Sequence, residues 1–167
     1  MELLPVKPFQ ETLGGGYCGP ASLKMVFNYY GLEKSEIELA EACGRDSKLG
    51  VSSETMAEVA RKYGFDAEVK NESDFFEIKS WLEKKVPVIV DWFTPGRRDY
   101  PDSEMPDGHY SVVVGLDADK IYLQDPEIGG PRAVSRDDFL RVWFDFPGVS
   151  ITKPEDMVLR QIIIIRH

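Results

Sequence analysis

The chain has 167 residues, of which 43% are hydrophobic and 29% charged, a balance that suits one domain with a buried core. A formal net charge of -9 argues against nucleic acid and anionic membrane surfaces as partners. No apolar run is long enough to span a bilayer, and MELLPVKPFQ lacks the basic and apolar regions of a signal peptide, so a cytoplasmic location is expected. Residues 1–9, with Pro5 and Pro8, read as an extended lead-in. A glycine loop, Gly14-Gly15-Gly16, then opens onto Cys18-Gly19-Pro20. Leu23, Val26, Phe27 and Tyr30 follow at i, i+3, i+4 and i+7, one face of a helix that begins at or beside Cys18 and stops near Gly31. Ser35-Glu36-Ile37-Glu38 has the form of a capping box for a short helix closed by Gly44. Ser52 or Ser53 caps the next helix, with Met56, Val59, Ala60 and Tyr63 on one face and Gly64 as its stop. A short strand at Phe65–Val69 and a helix over Asn71–Lys85 complete this half.

From Pro87 the pattern changes to β-branched and aromatic residues. Strands are predicted at Val88–Phe93, His109–Leu116, Lys120–Gln124 and Arg132–Val134, and a final one at Met157–Ile165, apolar enough in Ile162–Ile165 to be central and covered on both faces. Ser135 caps a helix ending near Trp143, and Phe144–Asp156 reads as irregular. The long loop Thr94–Asp107 leads into His109, where Trp92, Arg97, Arg98 and Tyr100 stand as candidate substrate contacts. With no repeats and no linker, the whole of 1–167 reads as one α+β domain, helices first and antiparallel strands after.

Cys18 at a helix start meets unpaired backbone N–H groups and the positive end of the helix dipole, which favour thiolate over thiol. A thiolate nucleophile needs a base, a group to orient that base, and donors for an oxyanion. His109 is the one internal histidine; His167 is the terminal residue and reads as mobile. Asp125 ends the strand after that of His109. If Asp117–Asp119 form a three-residue loop, Leu116 pairs with Lys120 and Ser111 with Asp125, and Asp125 becomes the same-face diagonal neighbour of His109. A two-residue loop at Ala118-Asp119 turns Asp125 to the other face. Gln10, across the glycine loop, offers an amide to an oxyanion beside Cys18. Each residue has a plainer reading: Cys18 as a small core residue, His109 as structural, Asp125-Pro126 as a turn former, Gln10 as an exposed loop residue. Cys43 reads as core. A Cys18–Cys43 disulfide has no support in the expected compartment, and Cys18, Cys43 and His109 lack paired metal-ligand spacing, so neither metal nor cofactor is expected.

The order Gln10, Cys18-Gly19-Pro20-Ala21-Ser22-Leu23, Tyr29-Tyr30-Gly31, Gly108-His109-Tyr110-Ser111-Val112-Val113-Val114-Gly115-Leu116-Asp117 and Gln124-Asp125-Pro126 resembles the peptidase C39-like family of papain-like cysteine proteases. The resemblance implies a papain-like α+β fold, with the nucleophile helix packed on an antiparallel sheet. It implies Cys18 as nucleophile, His109 as general base and acid, Asp125 as its orienter and Gln10 as oxyanion donor. The expected partner is a peptide or protein substrate, cleaved through an acyl-enzyme. A non-catalytic peptide-binding module and a thiol transamidase or deamidase are the alternatives on the same frame.

Overall fold

A computed structural model describes residues 1–93, 108–146 and 151–167. Helices α1 (Cys18–Tyr29), α2 (Glu36–Ala42) and α3 (Ser53–Lys62) come first. Strand β1 (Asp66–Lys70) and helix α4 (Phe75–Glu83) lead into strands β2 (Val88–Phe93), β3 (Gly108–Leu116), β4 (Lys120–Asp125) and β5 (Gly130–Ser135). Helix α5 (Arg136–Val142), strand β6 (Phe144–Asp145), a 3-10 turn at Pro154–Asp156, and strands β7 (Val158–Leu159) and β8 (Ile162–Arg166) follow. Six strands form one antiparallel sheet in the order β1-β8-β2-β3-β4-β5; β6 and β7 pair separately.

Alternation along the strands splits the core into two layers. On one face Ile89, Val112, Val114, Ile163 and Ile165 meet Leu23, Val26 and Phe27 of α1 and Met56 and Val59 of α3. On the other, Val88, Val90, Trp92, Val113, Ile162 and Ile164 meet Ile78 of α4 and Phe139 and Val142 of α5. The sheet is therefore covered on both sides, by α1 and α3 on one and by α4 and α5 on the other. The four isoleucines of β8 are at most 1% exposed, and each such side chain contributes about 1.5–3 kcal/mol by leaving water.

Local signals set most boundaries. Ser35 and Glu38 form the capping box of α2, Ser52 caps α3 by accepting from Thr55 N, and Ser135 caps α5 by accepting from Asp138 N. Gly31, Gly44 and Gly64 take φ of +90°, +60° and +94° just past their helices, the left-handed stop that glycine permits. Helix α4 is shorter than the predicted 71–85. Asp74 caps it by accepting from Glu77 N at 2.8 Å, and left-handed backbone at Glu72 and Lys85 (φ +55° and +63°) bounds it on either side. The final strand is interrupted, because Arg160 is left-handed (φ +46°) and its N–H bonds to Trp143 O at 3.0 Å. The His167 ring lies 5.8 Å from that of Tyr30 and 5.9 Å from that of Phe65.

The glycine loop is held from outside. Arg45 donates to Gly15 O and stacks 4.0 Å over the Tyr17 ring. Gly16 (φ +71°) lies so close to a second tight turn that an added Cβ would stand 2.7 Å from Gly50 Cα. Gly16→Ala is therefore expected to cost about 1–3 kcal/mol in backbone strain alone, with the clash in addition. A urea unfolding midpoint unchanged from the parent would contradict this.

Candidate active site

The β3–β4 hairpin places the two residues of one strand pair that carry titratable side chains at its open end. At the turn, Leu116 pairs with Ile121 rather than Lys120, and a bulge between Val113 and Gly115 takes up one residue, so that Val113 meets Leu123 and Val112 meets Gln124. The bulge restores the register that a three-residue loop would have set. Asp125 thereby reaches the same side of the sheet as His109. His109 Nε2 lies 2.6 Å from Asp125 Oδ1, with both side chains buried. Trp92 pairs with His109 across β2 and β3, and its ring centroid stands 5.9 Å from that of the imidazole. Trp92 is fully buried and donates from Nε1 to Ser111 Oγ at 3.0 Å. It is a wall behind the histidine and not a surface contact for substrate. The other suggested contacts, Arg97, Arg98 and Tyr100, lie outside the described residues.

Cys18 is the first residue of α1, half-buried, and its sulfur sits beside the His109 ring, near enough to help hold the imidazole's pKa up. With Nε2 committed to Asp125, Nδ1 is the nitrogen left for the sulfur. Helices α2, α3, α4 and α5 each start at a Ser or Asp side chain that accepts from a first-turn N–H; α1 starts at Tyr17 with no such cap. The N–H groups at the tip of α1 are thus left open beside the sulfur. Cys18 looks into a cleft of about 620 Å³, lined also by Gly16, Leu49, Tyr110, Asp145 and Gln161.

The charges of the site reinforce one another. Burial pushes the His109 imidazolium toward losing its proton, but the Asp125 charge, its hydrogen bond and the Cys18 sulfur outweigh burial, so its pKa stands well above the ordinary value. Burial alone would raise the Asp125 carboxyl; His109, the Glu127 N–H at 3.0 Å and the Arg132 guanidinium pull it below the usual range instead. Arg132 Nε lies 2.9 Å from Asp125 Oδ2. A further carboxyl, Glu11, is pushed up to about 7 by burial, against the pull of His109.

Cys18, His109 and Asp125 are thus brought together from α1, β3 and β4. Gln10 is exposed, its side-chain amide donates to Glu127 O at 3.1 Å, and its Cβ packs on Gly129. The amide nitrogen keeps a second N–H beyond that bond. Cys43 is buried, and burial pushes its thiol up to about 11; both cysteines are free thiols. No group of three or more His, Cys, Asp or Glu side chains suited to a metal ion is found among the described residues. The reading from sequence passed over Arg132 and Glu11. Arg132 becomes visible once β4 and β5 are paired, because Asp125 faces Gly130 and Arg132 lies two residues further along the same face.

Similarities to known proteins concern the chain and its fold. The Peptidase_C39 like family model matches residues 4–151. The Lactococcin-G-processing and transport ATP-binding protein LagD of Lactococcus lactis is 29% identical over 126 residues, 75% of this chain and 16% of that protein. An uncharacterized protein of Methanothermobacter marburgensis is 30% identical over 149 residues, 86% of this chain and 92% of that one. Among solved structures, the peptidase domain of Streptococcus ComA shares the fold with a TM-score of 0.69 at 21% identity, covering 96% of this chain and 98% of that one. A putative C39-like peptidase from Bacillus anthracis does so with a TM-score of 0.70 at 18% identity, covering 99% and 97%. The chain thus spans only a small part of the transporter it matches and nearly all of the Methanothermobacter relative. A family match over most of the residues, on an antiparallel sheet with a cysteine-bearing helix at its end, makes this chain a member of the Peptidase_C39 like family.

Proposed function

We propose that the chain is a cysteine peptidase whose catalytic triad is Cys18, His109 and Asp125. The observation that carries this reading is the relay from the Cys18 sulfur through the His109 ring to Asp125, with 2.6 Å between Nε2 and Oδ1, at the edge of a cleft. The Cys18 thiolate adds to a peptide carbonyl, and the tetrahedral oxyanion is met by the N–H groups at the uncapped tip of α1. The His109 imidazolium then gives its Nδ1 proton to the leaving amine as the C–N bond breaks. Neutral His109 next takes a proton from water, which attacks the thioester and releases the acid. Asp125 holds the ring by Nε2–H throughout and balances its charge. Gln10, with one amide N–H on Glu127 O, has a second N–H to offer the oxyanion. The substrate is a peptide, as the leader peptide is for the double-glycine-motif protease of an AMS/PCAT transporter, whose fold is shared with a TM-score of 0.63.

The test is a broad peptide-library digest with the parent and Cys18→Ala, read by mass spectrometry, with a thiol-reactive probe in parallel. Cleavages and selective labelling are expected in the parent alone. Labelling without cleavage in the parent would leave a peptide-binding module, and identical behaviour of the two proteins would remove any role for the thiol.

A further inference from the structure

Asp125 is 1% exposed, and a carboxylate at that depth needs every lone-pair direction answered. Oδ1 accepts from His109 Nε2 and from Glu127 N. Oδ2 faces Arg132, whose side chain is 8% exposed and whose Nε stands 2.9 Å away. The Nε–H is turned off the line to the oxygen, so charge rather than a directional bond dominates the contact. The register explains how it arises. Asp125 pairs with Gly130, which has no side chain to intervene, and Arg132 is the next residue on the same face of β5. The other charged groups acting on Asp125 do not replace this cation: the His109 imidazolium is on Oδ1, and Glu127 and Glu11 are acids.

We propose that Arg132 is a positioning residue for the Cys18–His109 pair, acting through Asp125: its buried cation keeps the carboxylate ionised and turned toward His109 Nε2. This rests on the triad reading above, but it makes its own prediction. The chain has two histidines, so the ring carbons of ¹³C-labelled histidine give two resonances, and His167→Ala assigns them. Protonation of Asp125 appears as an acid inflection in the His109 signal. Arg132→Met is expected to move that inflection up by about 1–3 pH units, the range an opposite charge at this distance commands. Arg132→Lys restores most of it. In an Asp125→Asn background, Arg132→Met leaves the His109 signal unchanged. If Arg132→Met does not fold, Arg132→Gln carries the same measurement with a polar stem retained.

An inflection that stays in place while only the melting temperature falls would overturn the inference, as would a further change of the His109 signal in the Asp125→Asn background. If the inflection moves but the parent and Cys18→Ala digest peptides alike, the peptidase reading fails and the hold of Arg132 on Asp125 stands.

Discussion

His109→Ala is expected to lower turnover of any cleaved peptide by at least about 10²–10⁴-fold, the contribution of a positioned acid–base group. The loss follows from two separate jobs. In the parent the imidazolium beside Cys18 stabilises the thiolate, and the same ring later protonates the leaving amine. Burial works against that imidazolium, but the Asp125 charge and hydrogen bond and the Cys18 sulfur prevail. The ring therefore remains charged to a pH above its ordinary value. The parent should accordingly be labelled selectively at Cys18 by a thiol-reactive probe. His109→Ala should lose that selective labelling while keeping its fold. Labelling by a chloroacetamide probe at equal rates in the two proteins would mean that sulfur and ring are not coupled.

Asp125→Ala is expected to be the most damaging substitution for stability in the site. It leaves the buried Arg132 cation and a buried imidazole without their carboxylate. Breaking a buried ion pair from one side costs about 3–5 kcal/mol. The effect depends on pH in a defined way. The Asp125 carboxyl has a folded pKa below its unfolded one, so its contribution is present above about pH 4 and is lost as pH falls through the folded value. The His109 pKa is raised on folding, so its contribution is complete below about pH 6.5 and is lost as pH rises through the raised value. Both are therefore present between about pH 4 and 6.5. The difference in urea midpoint between parent and variant should be largest in that window and shrink on either side. A difference that does not vary from pH 3 to 9 would show that the carboxylate contributes packing alone.

Much of this could be read from local chemistry. A capping serine answers an N–H three residues away, and a glycine that must turn left-handed does so within one residue of a helix end. The elements around Ser35, Ser52, Ser135, Gly31 and Gly64 were therefore visible in a linear string. Where the reading from sequence went astray, a distant partner had decided. The break in the last strand depends on Trp143 O accepting from Arg160 N. Trp92 resembled a surface aromatic until the second layer of core, with Phe139 and Trp143, closed over it.

The reactive groups can be read along the chain: one cysteine ahead of a helical period, one internal histidine heading a strand, and an acid closing the strand after it. Side-chain type and periodicity are properties of neighbouring residues. Packing of the sheet is what brings these groups together, with a bulge at Val114 that corrects a hairpin turn to put Asp125 on the side of His109, and Arg132 behind it. Those outcomes depend on strand register and on the burial of charge, which are set by the packed sheet as a whole and have no counterpart in any short stretch of chain.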